Sequence, residues 1–205
     1  MARLPVTEVG GGIKLAAMRA LVFLSMLLAG GRGVAHGQQR AGFWADVQLG
    51  YGRLQLGSDQ EPHHGHDSFA LAFDVGGTLN PHVRLGLELG GWLLESFSPD
   101  DPARGESVSH LLAIVEVYPW QGRGLFLKLG AGRAMYTISH PLEFDSSGWG
   151  GSIGVGCDVP IARKLCLTPV VNYSRGSLGG VDNQLVTVRN RTYDVLDFGL
   201  ALAYR

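Results

Sequence analysis

Residues 197–205 read DFGLALAYR. Phe198, Leu200, Leu202 and Tyr204 alternate there with Gly199, Ala201, Ala203 and Arg205. Successive side chains of a strand point to opposite faces, so these sets lie on two sides of one strand. A soluble sheet buries its large face and presents polar, water-seeking side chains on the other. Here the second face is almost bare.

The same alternation recurs upstream. In GFWADVQLGYG (42–52), Phe43, Ala45, Val47, Leu49 and Tyr51 oppose Asp46, Gln48, Gly50 and Gly52. SFALAFDVGG (68–77) sets Phe69, Leu71, Phe73 and Val75 against Ala70, Ala72, Asp74 and Gly76. VRLGLELGGW (83–92) sets Val83, Leu85, Leu87 and Leu89 against Arg84, Gly86, Glu88 and Gly90. SHLLAIVEVYPW (109–120) is apolar on both faces but places His110, Glu116 and Tyr118 on the even set. LFLKLGAGRAMY (125–136) opposes Leu125, Leu127 and Leu129 to Phe126, Lys128, Gly130 and Gly132. GWGGSIGVGCDV (148–159) opposes Trp149, Ile153, Val155 and Val159 to Gly150, Ser152, Gly154, Gly156 and Asp158. With LCLTPVVNYS (165–174) and the final stretch, this predicts eight strands and no intervening helix.

The connections alternate as well. NPH (80–82), PWQGRG (119–124) and PIARK (160–164) read as short turns. Longer polar stretches at 57–67, 95–106, 138–147 and 175–192 read as loops. Short turns at one end and long loops at the other predict an eight-stranded antiparallel up-and-down transmembrane β-barrel. The bare face then lines a narrow lumen, where Gly and Ala leave room for a few charged side chains. Aromatic residues near strand ends suit interfacial girdles: Phe43, Trp120, Phe126 and Tyr204 at the short-turn end, Tyr51, Phe69, Trp149 and Tyr173 at the other.

Composition agrees. Charged residues are 17% of the chain, against about 25% in soluble domains. Glycine is 31 of 205 residues, against about 7% on average. Mean hydropathy is +0.11, yet no apolar run reaches the roughly 20 residues of a spanning helix. A formal charge of −1 gives no footprint for nucleic acid.

The longest apolar run, ALVFLSMLLAG (20–30), follows Arg19 and precedes AHG at 35–37. Basic residue, short apolar core and small-residue site predict a signal peptide over 1–37 and a mature barrel domain over 38–205. Met18 also opens a complete signal, MRALVFLSMLLAG, and is a second candidate start. Export carries Cys157 and Cys166 to an oxidising compartment. Their parity puts them on opposite faces of a regular hairpin, so they meet only across a bulge.

The eight-strand rhythm, YPW with RGLFLKLGAG, GVGCDVP with LTPVVNYSRG, and the closing aromatic strand resemble the OmpA/OmpX-type outer-membrane β-barrel proteins of Gram-negative bacteria over roughly residues 42–205. The resemblance implies outer-membrane lipid and lipopolysaccharide around the wall and barrel-assembly machinery during biogenesis. Chains of this type end on an aromatic residue that the machinery reads, whereas Arg205 follows Tyr204 here. It implies no enzyme activity and no cofactor, and it names no ligand for the surface loops.

Few residues offer chemistry. His63, His64 and His66, with Glu61 and Asp67 nearby, are the metal candidates. They lack the spacing of known sites, so a solvated polar loop is the expectation. Ser109 and His110 are adjacent on a strand and face opposite ways, which forbids a nucleophile–base bond between them. GAGR and GVGCD lack the following helix that a phosphate loop needs. The inward charges Asp46, Asp74, Arg84, Glu88, Glu116, Lys128 and Asp158 have mixed signs, which predicts an internal ion-pair network. The sequence thus points to a non-enzymatic barrel serving envelope integrity, adhesion or surface protection. Its rivals are a soluble lipocalin-like barrel with the large residues inside, and an enzyme acting on outer-membrane lipid.

Overall fold

A computed structural model describes residues 42–58, 61–94, 105–120, 122–139, 144–183 and 186–205. The segment read as a signal, residues 1–37, lies outside them. The described residues form eight strands. They are β1 (Gly42–Ser58), β2 (Glu61–Asn80), β3 (Val83–Leu94), β4 (Gly105–Val117) and β5 (Leu125–Ser139). β6 (Phe144–Cys157) breaks at Asp158 and continues as Val159–Ala162; β7 (Leu165–Asn183) and β8 (Val186–Tyr204) complete the set.

Each strand pairs antiparallel with its sequence neighbours, and β8 returns to β1, so the sheet closes without an edge. Register follows the apolar pattern. Phe43 opposes Gly77, and Gly77 opposes Leu85; eight residues on, Tyr51 opposes Phe69, and Phe69 opposes Leu93. On β1, β3 and β8 the exposed large side chains run from Phe43 to Tyr51, Leu85 to Leu93 and Leu196 to Tyr204. Each stretch is nine residues, the length a tilted strand needs to cross a bilayer. Leu49 in the belt is 67% exposed. A lipocalin-like barrel would hold Leu129 and Leu200 inside, and both point out.

Sequence reading and structure part company in several places. The expected long loops at 57–67 and 175–192 are mostly paired strand, continuing to Ser58 opposite Glu61 and Asn183 opposite Val186. Backbone pairing outside a bilayer needs no apolar alternation, so polar sequence there does not mean loop. β4 begins at Gly105, and β5 and β6 reach Ser139 and Phe144, which shortens the expected loops at 95–106 and 138–147 as well; residues 95–104 and 140–143 lie outside the described residues. Of the expected short turns, 80–82 is present and 160–164 narrows to Arg163 and Lys164, because Pro160 and Ala162 pair with Cys166 and Leu165; in 119–124, Gln121 lies outside the described residues. Asn80 Oδ1 accepts from the His82 amide at 2.8 Å, and the His82 carbonyl accepts from the Tyr118 amide at 2.8 Å. Gly124 has φ 68° and lies against Asp158, whose amide donates to its carbonyl at 3.0 Å; a β-carbon would fit neither the angle nor the space.

The alternation runs through the break at Asp158: Gly156 and Asp158 are buried, whereas Val155 and Val159 are not. Cys157 keeps the outward parity of its strand and is covered at the turn, its Sγ donating to the Arg123 carbonyl at 3.7 Å, while Cys166 lies opposite inward Ala203; both are thiols. Among the girdle residues, Phe43, Trp120, Tyr204, Tyr51, Phe69, Trp149 and Tyr173 are exposed. Phe126 is not: it is buried in the lumen, its ring centroid 5.3 Å from that of Tyr118.

Candidate functional site

The lumen is where chemistry is concentrated. Asp46, Asp74, Arg84, Glu88, Glu116, Lys128 and Asp158 all project into it and are buried. Strand register sets them in two rows. Asp46 on β1, Asp74 on β2 and Glu88 on β3 are successive cross-strand neighbours, as are Arg84 on β3, Glu116 on β4 and Lys128 on β5. Three carboxylates side by side repel one another. Lys128 crosses to the acidic row, donating to Asp74 Oδ2 at 3.2 Å and to Glu88 Oε2. Its cross-strand neighbour Glu116 is taken instead by Arg84, at 3.4 Å.

Residues outside the expected set complete the arrangement. The Arg205 guanidinium enters the lumen and lies 3.1 Å from Asp158 Oδ1, 3.2 Å from Asp46 Oδ2 and 3.9 Å from Glu116 Oε1. Tyr204 keeps the outward position and Arg205 the inward one, so the alternation of the opening stretch runs to its last residue. The Tyr118 hydroxyl accepts from Arg84 at 2.6 Å and sits 3.0 Å from both Glu116 and Asp158. Arg84 and Arg205 flank the Trp44 indole, 5.9 and 5.1 Å from its centroid. Thr168 donates to Asp158 at 2.9 Å. His110 Nε2 is 2.7 Å from Glu88 Oε1, and Asp197 binds Gln48, Asn172 and Trp92 on the next level up. Parity carried the signal for three of them: Arg205 shares its inner face with Ala203, Tyr118 with Glu116 and Asp197 with Gly199.

Above this layer the filling is apolar. Leu54, Ala70, Trp92, Val108, Ala134, Tyr136, Leu178, Tyr193 and Val195 form one buried cluster toward the long hairpins. Tyr118, Phe126 and Val170 close the opposite end. Side chains therefore fill the bore along its length, as a barrel of eight strands allows.

The other candidates stay apart from this network. His63, His64 and His66 fall on β2; His66 is exposed, and the side chains of His63 and His64 lie outside the described residues. Among the described residues, Asp46, Asp74 and Glu116 offer carboxylate oxygens within 4.8 Å of one another. Arg205, Lys128 and Arg84 already rest on those three groups, which leaves a metal ion little charge to claim. Ser109 lies on the outer face while His110 is bound to Glu88 inside, so the two do not form a dyad.

No protein-family model matches the chain, and no curated protein does. Solved structures do. The crystal structure of Neisserial surface protein A superposes with a TM-score of 0.54 at 14% identity, covering 78% of this chain and 96% of that one. The outer membrane protein AlkL in lipid bilayers gives 0.49 at 13% identity, covering 81% and 90%. Ail, the attachment invasion locus protein of Yersinia pestis, gives 0.47 at 11% identity, covering 80% and 99%. The likeness to the Neisserial protein fixes the fold: this chain is a small eight-stranded β-barrel of the outer-membrane type.

Proposed function

We propose that the chain is a non-enzymatic outer-membrane protein whose barrel is a membrane anchor and whose contact surface is the long-hairpin end. The signal over residues 1–37 would export it, the barrel-assembly machinery would insert it, and lipid and lipopolysaccharide would surround its wall. One observation carries the reading: a nine-residue apolar belt faces outward around a bore filled by ion pairs and apolar side chains. Such a wall is costly in water, and such a bore suits anchoring better than transport. Envelope integrity, adhesion and surface protection are the roles that an anchored set of hairpins can serve.

Expression with its own leader, followed by fractionation and planar-bilayer recording, tests this. The protein should appear in the outer-membrane fraction, migrate differently on gels before and after boiling, and give no steady porin-sized conductance. Recovery in the periplasm without detergent would overturn the membrane reading, and a large steady conductance would overturn the anchor reading. Unchanged lipid A in a deletion strain is the expected result for a protein that is not an enzyme, and a changed acylation pattern would count against it.

A further inference from the structure

Two arginines stand on the outer wall where the apolar belt meets the long hairpins. Arg133 on β5 is exposed, lies 5.5 Å from the Trp149 ring centroid and donates to Ser147 Oγ at 3.1 Å. Among the described residues it has no carboxylate partner. Arg175 on β7 is 69% exposed, and its ion pair to Asp194 is long, 3.6 Å. Asp194 also accepts from the Tyr173 hydroxyl at 2.6 Å. Arg133 opposes Trp149 and Arg175 opposes Gly151, so the two guanidinium groups face each other across β6. Their backbones are roughly 10 Å apart, two strand spacings.

Between them opens an apolar groove. Gly151, Ala131 on β5 and Ala113 on β4 are successive cross-strand neighbours, and both alanines are exposed. Beyond its chain neighbours, only the Gly130 carbonyl, at 3.1 Å, lies within 4 Å of where a β-carbon on Gly151 would point. Larger side chains rise on either side, Leu111, Arg133 and Trp149 toward the hairpins and Val115, Leu129 and Ile153 away from them. These flanking rows lie roughly 14 Å apart along the strands before the bulk of their side chains is subtracted. What remains suits an alkyl chain and is narrower than a helix, about 10 Å across.

The groove has a polar end and an apolar end. Arg175 opposes Asp194, the first outward position past Leu196, where the exposed apolar stretch of β8 stops. At the other end Ala113 opposes Leu87, inside the apolar stretch Leu85–Leu93 of β3. Strand tilt thus carries the groove from the rim of the belt down into it. Its occupant must be anionic at one end and a single chain wide at the other. A phosphate answers two guanidinium groups at once, because the planar fork of arginine matches its oxygens.

We propose that this sector of the wall binds one phosphorylated glycolipid, the lipid A part of lipopolysaccharide, with a phosphate between Arg133 and Arg175 and an acyl chain along Gly151, Ala131 and Ala113. The assignment rests on the membrane reading above, which turns the long-hairpin end outward and so sets lipopolysaccharide at this rim.

The test uses the full mature chain folded in detergent and read by native mass spectrometry, with bisphosphorylated lipid A or its dephosphorylated form as the probe. The unaltered protein should retain one phosphorylated lipid A and release the dephosphorylated form at the same concentration. Arg133→Gln combined with Arg175→Gln should weaken retention about tenfold or more, the loss expected for two charge-assisted contacts. Ala131→Leu, which raises the groove floor without touching a charge, should weaken it as well. All three positions are exposed, so folding, read by the gel shift on boiling, should not change. Equal retention of both probes, or retention unchanged in both variants, would overturn the proposal while the gel shift and outer-membrane fractionation stand. Recovery of the protein outside the membrane would overturn the reading beneath it, and the proposal with it.

Discussion

The two ends of the bore are filled by opposite means. Toward the short turns, Arg84, Glu116, Lys128, Asp158 and Arg205 interlock with Asp46, Asp74 and Glu88. Toward the long hairpins, Leu54, Trp92, Val108, Tyr136, Leu178 and their neighbours pack without charge. The difference shows how one barrel can be stopped twice. An apolar plug keeps water from the polar layer, and that exclusion strengthens each charge contact while making any unmatched charge expensive. The plug fails locally, one void at a time; the network fails through the partners it strands.

Removing Lys128 should therefore have the largest effect. Lys128→Met leaves Asp74 and Glu88 without their shared cation, and stranding a buried charge costs ~3–5 kcal/mol. Adding Asp74→Asn and Glu88→Gln should recover most of that loss, because the penalty belongs to the stranded carboxylates. Equilibrium urea unfolding in lipid vesicles reads both. On the apolar side, Leu54→Ala empties part of a fully buried cluster and should cost about 3 kcal/mol. No neutralising partner change should restore it. Recovery in the second case, or none in the first, would erase the distinction between the two fillings.

The wall gives the next contrast. Leu200 is the middle residue of the outward stretch Leu196–Tyr204, while its neighbour Ala201 is buried. Leu200→Arg puts a guanidinium at the belt's centre and should cost ~2–4 kcal/mol in lipid, falling toward either end of the stretch. Flat costs along Leu196, Leu200 and Tyr204 would mean that this face does not meet hydrocarbon.

Much of this arrangement was legible in the sequence, because a period of two assigns faces without knowing the fold. It placed Leu200 outside and Lys128 inside, and it grouped seven inward charges. Two things escaped for physical reasons. Phe126 was read as a girdle aromatic from its place near a strand end, although it shares parity with Lys128; a ring suits lipid interface and lumen floor equally, and only neighbours such as Tyr118 decide. The extents of β1, β2, β7 and β8 were underestimated because strands beyond the bilayer pair through backbone alone. For Arg205 and Asp197 the parity was visible in DFGLALAYR itself, but pairing across a closed barrel is a matter of shear, which no single strand encodes.

The smallest effect is expected where the same chemistry stands in water. Arg175 Nε lies 3.6 Å from Asp194 Oδ1, close to the 3.4 Å between Arg84 and Glu116. The settings differ: the outer pair is 69% and 21% exposed, the inner pair 1% and 1%. Solvent screens the outer attraction, and holding a long side chain in one geometry consumes part of what remains. Asp194 also keeps a second donor, the Tyr173 hydroxyl at 2.6 Å, so removing the arginine strands nothing. Arg175→Ala should therefore change unfolding free energy by roughly 0–1 kcal/mol, and raising the salt concentration should shrink the change further. Arg84→Ala, measured in parallel, leaves Glu116 and Asp158 partly uncompensated and should respond little to salt. If the two variants lost equal stability with equal salt dependence, burial would not be what separates the lumen network from the outer wall.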